Sequence, residues 1–283
     1  MSILFYLLCL LSVFREASDS SVRVLTYNIR LDTPADGVNQ WTYRKQRVAE
    51  LLERQAPDIF GVQEALANQM DDLSQLLPAY RWYGVGRDDA KREGEFSAIF
   101  YRPERMELLR SGTFWLSETP AVPGSRSWDA AITRICSWGM FRDRSAGRTF
   151  YVFNTHFDHR GELARLRSLE LIRSEAVRLS DGQPYILMGD FNFEPAAAPY
   201  GLVGKSKGWD IRDTYAERFA QGEEPGCTFT GFRVEGAECR RIDHVFVSAG
   251  WAVSSFEIDR TNDGTNFPSD HLPVRVDLRL VGR

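Results

Sequence analysis

Acidic, amide and imidazole side chains recur where short apolar segments of this chain begin or end, and this arrangement limits the folds that the chain can adopt. The apolar segments, such as VRVLTYNI at residues 22–29, are rich in β-branched and aromatic residues, which is typical of β-strands. The polar residues at or just beyond their ends are Asn28, Glu64, Asn154, His156, Asp190, Asn192, Asp243, Asp270 and His271. Because strands hold such groups on a rigid scaffold, we expect these side chains to form a functional site.

The order of helices and strands favours an α/β (α+β) fold. Val48, Leu51 and Leu52 lie at helical spacing within Trp41–Gln55, and a row of leucines predicts a longer helix over Gly161–Ser180. A shorter helix is predicted over Leu66–Leu77, and further strands are predicted over Asp58–Gln63, Phe96–Arg102, Ile132–Arg142, Arg148–His156, Tyr185–Met188, Arg241–Val247 and His271–Leu280. Because helices and strands come in mixed order, we expect a layered sandwich whose sheets are covered by helices.

The 283 residues contain no internal repeat, low-complexity tract or Pro/Ser-rich linker after residue 20, so we expect one domain over residues 20–283. The chain has 35 Lys and Arg against 39 Asp and Glu, a net charge of −4. This balance excludes a bulk basic nucleic-acid coat and a polybasic membrane-binding protein, since both need excess cations to meet phosphates. A local basic groove is still compatible with it.

Residues 1–19 differ from the rest in composition. Met1–Phe14 carries no charge, and an apolar run of about a dozen residues is shorter than a membrane span of roughly 20 residues. Such a run is typical of a signal peptide. No Lys or Arg precedes it, and Arg15-Glu16-Ala17 is a poor small-x-small cleavage site, so an uncleaved N-terminal anchor and a misassigned start codon remain alternatives. We expect an exported protein, in the periplasm or outside the cell.

Three cysteines follow this segment, Cys136, Cys227 and Cys239, an odd number that cannot pair completely. A Cys227–Cys239 disulfide is compatible with an oxidising compartment, but no disulfide framework is implied. No CxxC motif or Cys/His spacing predicts a zinc site.

The polar residues at the strand ends favour metal-dependent chemistry. Carboxylates that converge from separate strands repel one another, so a cation is needed between them. Oxygen ligands without cysteine favour Mg²⁺ or Mn²⁺. Histidines beside such an ion are suited to move protons or to stabilise a charged transition state. This combination suits metal-assisted hydrolysis of a phosphate ester.

Six motifs occur in order along the chain: LTYNIR, FGVQEAL, NTHFDH, LMGDFN, RIDHVFV and SDHLPV. With them, the chain resembles the endonuclease/exonuclease/phosphatase superfamily, the DNase I-like metal-dependent phosphoesterases, from Val22 to Leu280. The segments YRWYGVGRDD, GEFSAIFYR, SGTFWLSETP and TRICSW are similar to those of its small bacterial branch. The resemblance implies a four-layer αββα sandwich of two mixed sheets flanked by helices, with the site at one edge of the sheets.

The resemblance also implies a metal site and the groups that act on the phosphate. Asn28 and Glu64 resemble the first pair of metal-site residues, with Glu64 as the direct Mg²⁺ ligand. Asp270 resembles a further carboxylate on the metal side. Asp190 and Asn192 resemble the group that orients the attacking water and the phosphate.

Two histidines acquire catalytic roles from the same resemblance. His271 resembles the catalytic histidine beside the scissile phosphate, and Asp243 resembles the acid that fixes its tautomer and raises its basicity. His156 resembles the second histidine of the nuclease-like members, and Glu95 resembles its carboxylate partner. Arg134 would lie where some members place a phosphate-binding cation.

Other residues are candidates for substrate binding. Arg30, Arg87, Arg92 and Arg134 would form a local cluster of cations despite the acidic total. Some repair nucleases of the superfamily carry an acidic residue where this chain has Arg30, so we expect one dominant metal site. Asp158 and His159 lie directly after His156, where they either line the substrate cleft or form a solvated loop. The tryptophans of the segment 111–138 either contact substrate or cover the sheet edge.

We expect a divalent-metal-dependent phosphoesterase that uses Mg²⁺ or Mn²⁺ to hydrolyse a small or carbohydrate-linked phosphodiester or phosphomonoester. A nuclease, either a 3′-5′ exoribonuclease or a DNA endonuclease, is the alternative, although the net charge does not favour nucleic acid. A catalytically silent binding module on the same scaffold is a second alternative, disfavoured because every expected catalytic position is filled. We expect a monomer, with no stable membrane insertion beyond an N-terminal anchor.

Overall fold

The computed structural model describes residues 21–204, 209–219 and 226–281. Their twelve strands are β1 (Val22–Asn28), β2 (Ile59–Ala65), β3 (Arg81–Tyr83), β4 (Phe96–Tyr101), β5 (Met106–Trp115), β6 (Ile135–Asp143), β7 (Thr149–His156), β8 (Tyr185–Asp190), β9 (Ile211–Asp213), β10 (Asp243–Ser248), β11 (Trp251–Ile258) and β12 (Val274–Leu280). The helices are α1 (Trp41–Gln55), α2 (Ala67–Leu76), α3 (Glu162–Ser180) and α4 (Thr214–Arg218), with short 3₁₀ helices at Pro34–Asn39 and Ala198–Leu202.

The strands form two mixed sheets with the same arrangement at their centres. Sheet A has the order β11-β12-β1-β2-β4-β3, and sheet B has the order β5-β6-β7-β8-β10-β9. One central pair in each sheet is parallel, β1 with β2 and β7 with β8, and the other neighbours are antiparallel. Parallel neighbours require a crossover, which α1 provides in sheet A and α3 provides in sheet B.

Three apolar clusters hold these elements in four layers. Between the sheets lies a buried cluster that includes Val24, Ile59, Ile99, Val152, Ile186, Val245 and Val276. On the outer face of sheet A, α1 and α2 bury Val48, Leu52 and Leu73 against Phe60 and Phe100. On the outer face of sheet B, α3 buries Leu169 and Ile172 against Phe153, Leu187 and Phe246. The predicted αββα sandwich is therefore confirmed.

A buried amide joins the two sheets through hydrogen bonds. Asn154 in β7 donates through Nδ2 to the carbonyl oxygens of Val62 and Ala98 in sheet A, at 3.0 and 2.8 Å. Its Oδ1 accepts from Nε2 of Gln63 at 2.6 Å. Gly61 leaves the space for this amide, because a Cβ atom at residue 61 would lie 2.5 Å from the Asn154 side chain. The contact fixes how sheet B is positioned on sheet A.

The sequence predictions fail mainly at the sheet edges. The helix predicted over Trp41–Gln55 has these bounds in the structure, and the central strands agree within a few residues. The four strands that were not predicted, β3, β5, β9 and β11, are the four edge strands of the two sheets. Edge strands are partly exposed and tolerate polar residues and bulges, as β5 and β11 do, so they lack a continuous apolar pattern.

Residues 1–19, with the predicted signal peptide or anchor, lie outside the described residues, so that prediction stays open. Within the described parts of the chain, no helix combines the length and the apolar character needed to cross a membrane. Cys136, Cys227 and Cys239 are free thiols in the structure, the first two buried and the third exposed.

Gly61→Ala should destabilise the protein. The added methyl group would overlap the Asn154 side chain, which backbone contacts on sheet A hold in place. Overpacking of this kind costs about 1–3 kcal/mol. Urea unfolding should give a lower midpoint, whereas Gly201→Ala, where a Cβ atom meets nothing within 4 Å, should unfold close to wild type. Equal midpoints for the two variants would contradict this role of Gly61.

His244, which follows Asp243 in β10, is a buried neutral histidine. Its Nδ1 accepts from Nη1 of Arg241 at 3.0 Å, and its Nε2 donates to the carbonyl oxygen of Phe193 at 3.0 Å. Only the neutral Nε2–H tautomer makes both bonds, since Nδ1 has to accept. Burial lowers the pKa of His244 to about 4.

Acid should therefore destabilise the fold through His244. Its folded-state pKa lies below the ordinary value of 6.5, so the unfolded chain binds the proton first and stability falls as pH drops from 6.5 towards about 4. The loss is on the order of 2–3 kcal/mol. Urea unfolding at pH 7 and pH 4.5 measures it. His244→Gln, which does not titrate, should show a smaller difference between the two pH values, and an unchanged difference would refute the assignment.

Candidate active site

Side chains from both sheets meet at the carboxyl ends of the parallel strands. Asn28, the last residue of β1, is fully buried, and its Nδ2 donates to Glu64 Oε1 and to Asp190 Oδ2, each at 3.0 Å. The same nitrogen lies 3.4 Å from Nε2 of His271. Asn28 thus connects a carboxylate of β2, a carboxylate at the end of β8 and the histidine that precedes β12.

Unusual backbone conformations place these side chains. Glu64 has a φ of 64° and lies at a register shift between β2 and β4, and Asn192 has a φ of 50°. Gly189 has a φ of 148°, and a Cβ atom there would lie 2.0 Å from the carbonyl oxygen of Thr155 in β7. Strand β8 can therefore approach β7 just before Asp190 only because residue 189 is glycine.

His271 is held as a buried cation by two carboxylates. Its Nδ1 lies 2.8 Å from Oδ2 of Asp243, and its Nε2 lies 3.6 Å from Oδ2 of Asp190. Burial by itself lowers the pKa of His271, but the negative charges of Asp243 and Asp190 outweigh it and raise the pKa to about 10. The imidazolium donates through Nδ1 to Asp243 and leaves its Nε2–H on the side of Asp190.

Asp190 combines burial with a second carboxylate nearby. Burial, and then the negative charge of Asp243, raise the pKa of Asp190 to about 7. Its Oδ1 accepts from the backbone nitrogen of Asn192 at 2.9 Å, and its Oδ2 lies 3.3 Å from Nε2 of His156. Nδ2 of Asn192 lies 3.0 Å from the same Nε2. A carboxyl group with a pKa near neutrality is suited to exchange protons with water near pH 7.

A second group of charged residues surrounds His156. Glu95 Oε2 lies 2.6 Å from Nη1 of Arg87, 3.7 Å from Nη1 of Arg134 and 3.8 Å from Nδ1 of His156. Burial, and then the charge of Arg134, lower the pKa of His156, which keeps this imidazole neutral. Nη2 of Arg134 lies 3.5 Å from Nδ1 of His159. Glu95 thus lies near Nδ1 of His156, but the distance is too long for a hydrogen bond, so the predicted partnership of the two residues stays a prediction.

Arg30 lies among three carboxylates. Its guanidinium donates to both oxygens of Asp36, at 3.0 and 2.9 Å, and it lies 3.7 Å from Glu64 Oε2 and 3.9 Å from Asp270 Oδ2. Burial raises the pKa of Asp270. Burial also raises the pKa of Glu64, but the hydrogen bond from Asn28 and nearby positive charges outweigh it, so this pKa is lowered.

These side chains surround a cavity of about 320 Å³. Asn28 and Asp243 do not line it, and they lie buried behind the lining residues that they contact. The residues predicted from the sequence that line the cavity are Arg30, Glu64, Glu95, Arg134, His156, His159, Asp190, Asn192, Asp270 and His271. The structure therefore brings together nearly all of the predicted set.

Asp158 and Arg87 are positioned differently from the expectation that they contact substrate. Neither lines the cavity. Asp158 is 1% exposed, and its carboxylate accepts four backbone N–H groups, those of Ala131, Ile132, Arg160 and Gly161. This carboxylate joins two loops and has no free acceptor site towards the cavity. Arg87 forms an ion pair with Glu95, which does line the cavity.

The tryptophans of the segment 111–138 do not line the cavity either. Trp115 lies at the end of β5, and its indole N–H donates to the carbonyl oxygen of Arg87 at 2.6 Å. Trp138 lies in β6 and packs beside Tyr151. This segment contributes Ile132 and Arg134 to the cavity instead.

Five lining residues were not among the predicted site residues: Leu31, Ile132, Phe229, Arg240 and Ile242. The ring of Phe229 meets that of His271 edge to face, with centroids 5.1 Å apart, and the guanidinium of Arg240 lies 4.6 Å from the Phe229 centroid. Leu31 and Ile242 are sequence neighbours of predicted site residues, so their place at the site could have been predicted from the sequence. Phe229 has no such neighbour, so only the fold brings it to the site.

The donor set of the site fits a hard divalent cation. Oxygen atoms of Glu64 and Asp190 and a nitrogen of His156 lie within 4.8 Å of one another. Asp270 adds a buried carboxylate, and none of the cysteines in the described segments lines the cavity. Buried carboxylates at such separations repel one another, and a cation relieves the repulsion. Carboxylate-rich sets of this kind suit Mg²⁺ or Mn²⁺.

Comparison with known proteins agrees with this geometry. The model of the endonuclease/exonuclease/phosphatase family matches residues 25–271. The chain belongs to this family. Members of this family are divalent-metal-dependent hydrolases of phosphoester bonds, and the fold of this chain is that of the DNase I-like sandwich.

Solved structures and one curated relative are similar over most of the chain. An endonuclease/exonuclease/phosphatase of Bacteroides vulgatus is 38% identical with a TM-score of 0.85, over 93% of this chain and 100% of that one. The mannosyl-6-phosphatase of Bacteroides thetaiotaomicron is 37% identical with a TM-score of 0.83, over 91% of this chain and 99% of that one. Nocturnin of Drosophila melanogaster is 25% identical over 85% of this chain, which spans 42% of its length.

Asp243→Asn should lower the pKa of His271. Removing the charge of Asp243 removes the largest influence that raises this pKa, so the imidazole should titrate at lower pH in the variant. The pH dependence of the C2–H chemical shifts of the four histidines, followed by NMR, measures the pKa of His271. In the wild type, His271 should stay protonated through pH 8, and the more exposed His159 is the internal reference. A variant in which His271 titrates as in the wild type would disprove the role of Asp243.

Proposed function

We propose that this protein hydrolyses a small, sugar-linked phosphate ester in the presence of Mg²⁺ or Mn²⁺. The size of the cavity carries the proposal. At about 320 Å³ it lies near the lower limit of small-ligand pockets, which span roughly 300–1,000 Å³. A polynucleotide needs a longer row of unpaired cations, whereas Arg30 and Arg134 each face carboxylates.

Similarity to a mannosyl-6-phosphatase supports a sugar phosphate as the substrate, and it favours a phosphomonoester over a phosphodiester. The two proteins are 37% identical over nearly their whole lengths. The proposal extends to export, which the apolar segment at residues 1–14 supports.

The residues of the cavity have complementary tasks in such a hydrolysis. Asp190, with its pKa of about 7, accepts a proton from the attacking water. His271 donates a hydrogen bond through Nε2 to a phosphoryl oxygen, and Asp243 keeps its ring oriented through Nδ1. Arg134 offers a second positive charge to the phosphoryl group from the side of Glu95. Asn192 orients His156.

Glu64 and Asp270 are the residues that would hold the divalent cation, and Asn28 positions Glu64. When bound, the cation supplies a Lewis acid that draws electron density from the phosphoryl oxygens. The protein supplies the fixed carboxylates and excludes bulk water around them, since both side chains are largely buried.

A hydrolysis screen tests the proposed function. The purified protein is assayed with Mn²⁺ or Mg²⁺ on mannose 6-phosphate, p-nitrophenyl phosphate, bis-p-nitrophenyl phosphate, single-stranded RNA and duplex DNA. We expect metal-dependent release of phosphate from the sugar phosphate. The RNA and the DNA should remain uncleaved. Preferential cleavage of RNA or DNA would overturn the proposal in favour of a nuclease, and turnover of only the diester would exclude a monoesterase.

Two substitutions separate loss of catalysis from loss of folding. Glu64→Gln should lower kcat/KM by at least 10²-fold, because a neutral amide is a weaker ligand for a hard cation. Glu170→Gln is the matched control, because Glu170 is an exposed residue of α3 that pairs with Arg167. Equal activities of the two variants would refute the role of Glu64 as a metal ligand. Circular dichroism checks that both are folded.

A further inference from the structure

Arg30 faces more carboxylates than a substrate-binding arginine needs. Asp36, Glu64 and Asp270 lie within 4 Å of its guanidinium, and they come from three separate parts of the chain. Two of them, Glu64 and Asp270, are the residues suited to hold a divalent cation. The guanidinium is therefore a permanent positive charge placed between these two carboxylates.

The position of Arg30 is fixed from both its backbone and its side chain. Its φ is 57°, a left-handed conformation that is unfavourable for a residue with a Cβ atom. Its backbone N–H donates to Oδ1 of Asn28 at 3.0 Å, and its carbonyl oxygen accepts from Arg44 and Gln69 at 2.6 and 2.9 Å. These bonds hold the strained turn in place, because they tie it to β1, α1 and α2.

Asp36 fixes the direction of the guanidinium. It accepts from Nε and Nη2 at once, so the planar fork cannot rotate without losing both bonds. In this orientation the fork lies beside Oε2 of Glu64 and Oδ2 of Asp270. A side chain held in this way is poorly placed to move towards a substrate.

We propose that Arg30 is an internal counter-ion of the metal site, which neutralises part of the charge of Glu64 and Asp270 and limits these carboxylates to a single divalent cation. The inference rests on the metal-dependent function proposed above. A second divalent cation shared by both carboxylates would lie within a few ångströms of the guanidinium, where like charges repel. Arg30 is then a positioning residue of the metal site, and the contacts to substrate come from other side chains.

Manganese binding tests the proposal without any substrate. Isothermal titration calorimetry and the EPR signal of free Mn²⁺ give the stoichiometry and the affinity. We expect one Mn²⁺ per wild-type chain. Arg30→Met removes the charge and keeps an unbranched side chain, and we expect it to bind a second Mn²⁺ or to bind the first at least tenfold more tightly. Two ions bound to the wild type would overturn the proposal, and so would unchanged stoichiometry and affinity in the variant.

Two further variants separate charge from general disturbance of the fold. Arg30→Lys keeps the charge and loses the fork, so it should retain the wild-type stoichiometry. Arg167→Met removes an exposed arginine of α3 that pairs with Glu170 and should leave Mn²⁺ binding unchanged. The metal-free Arg30→Met variant should have a lower Tm than the wild type, and Mn²⁺ should restore it, because the carboxylates have lost their cation.

Failure of the role proposed for Arg30 is distinguishable from failure of the proposed hydrolytic function. A wild-type protein that binds one Mn²⁺ and hydrolyses no phosphate ester would refute the function and leave the role of Arg30 intact. A protein that hydrolyses sugar phosphates and binds two Mn²⁺ would refute the role of Arg30 alone. Should Arg30→Met fail to fold, Arg30→Gln replaces it, because it also removes the charge while keeping an N–H donor for Asp36. The same second Mn²⁺ or tenfold tighter binding is expected of it, and wild-type binding would overturn the proposal.

Discussion

Two buried amides fix the two sheets relative to each other at the edge where the site lies. Asn28 extends from sheet A to Asp190 of sheet B, and Asn154 extends from sheet B to backbone carbonyls of sheet A. Apolar contacts between the sheets are non-directional and would tolerate small shifts. Hydrogen bonds depend on distance and angle, so these amides specify one arrangement. Every distance between site residues of different sheets depends on it.

The charges of the site are balanced locally, group by group. Asp243 is paired with His271, and Glu95 is paired with Arg87 and lies near Arg134. A buried charge without a partner is costly, so such pairs allow a dense cluster to remain ionised. The balance is least complete around Glu64, Asp190 and Asp270, because Arg30 is shared with Asp36 and lies farther from Glu64 and Asp270. The site thus keeps negative charge at the carboxylates that suit a divalent cation.

The sequence predicts the centre of this protein much better than its periphery. Central strands are buried on both faces and read as continuous apolar runs, and their carboxyl ends carry Asn28, Glu64, His156 and Asp190 in recognisable motifs. Edge strands such as β5 and β11 carry mixed sequences, so their pairing follows from the neighbouring strand rather than from a local pattern. The same limit applies to Asp158, whose sequence position suggests the cleft. Its four backbone bonds become visible only when the loops are assembled.

This division also explains why the reaction is easier to infer than the substrate. Asp190, His271 and Arg134 come from motifs, and the groups that they face in a phosphate ester are the same whatever alcohol is esterified. The rest of the wall comes from Ile132, Phe229 and Arg240, which lie on connections between strands. Connections change without loss of the core, so one scaffold can accept different leaving groups. Arg240 lies over Phe229, and among the described residues its only ion pair is with the exposed Glu238, at 4.0 Å. This wall therefore presents a charge that the central motifs do not encode.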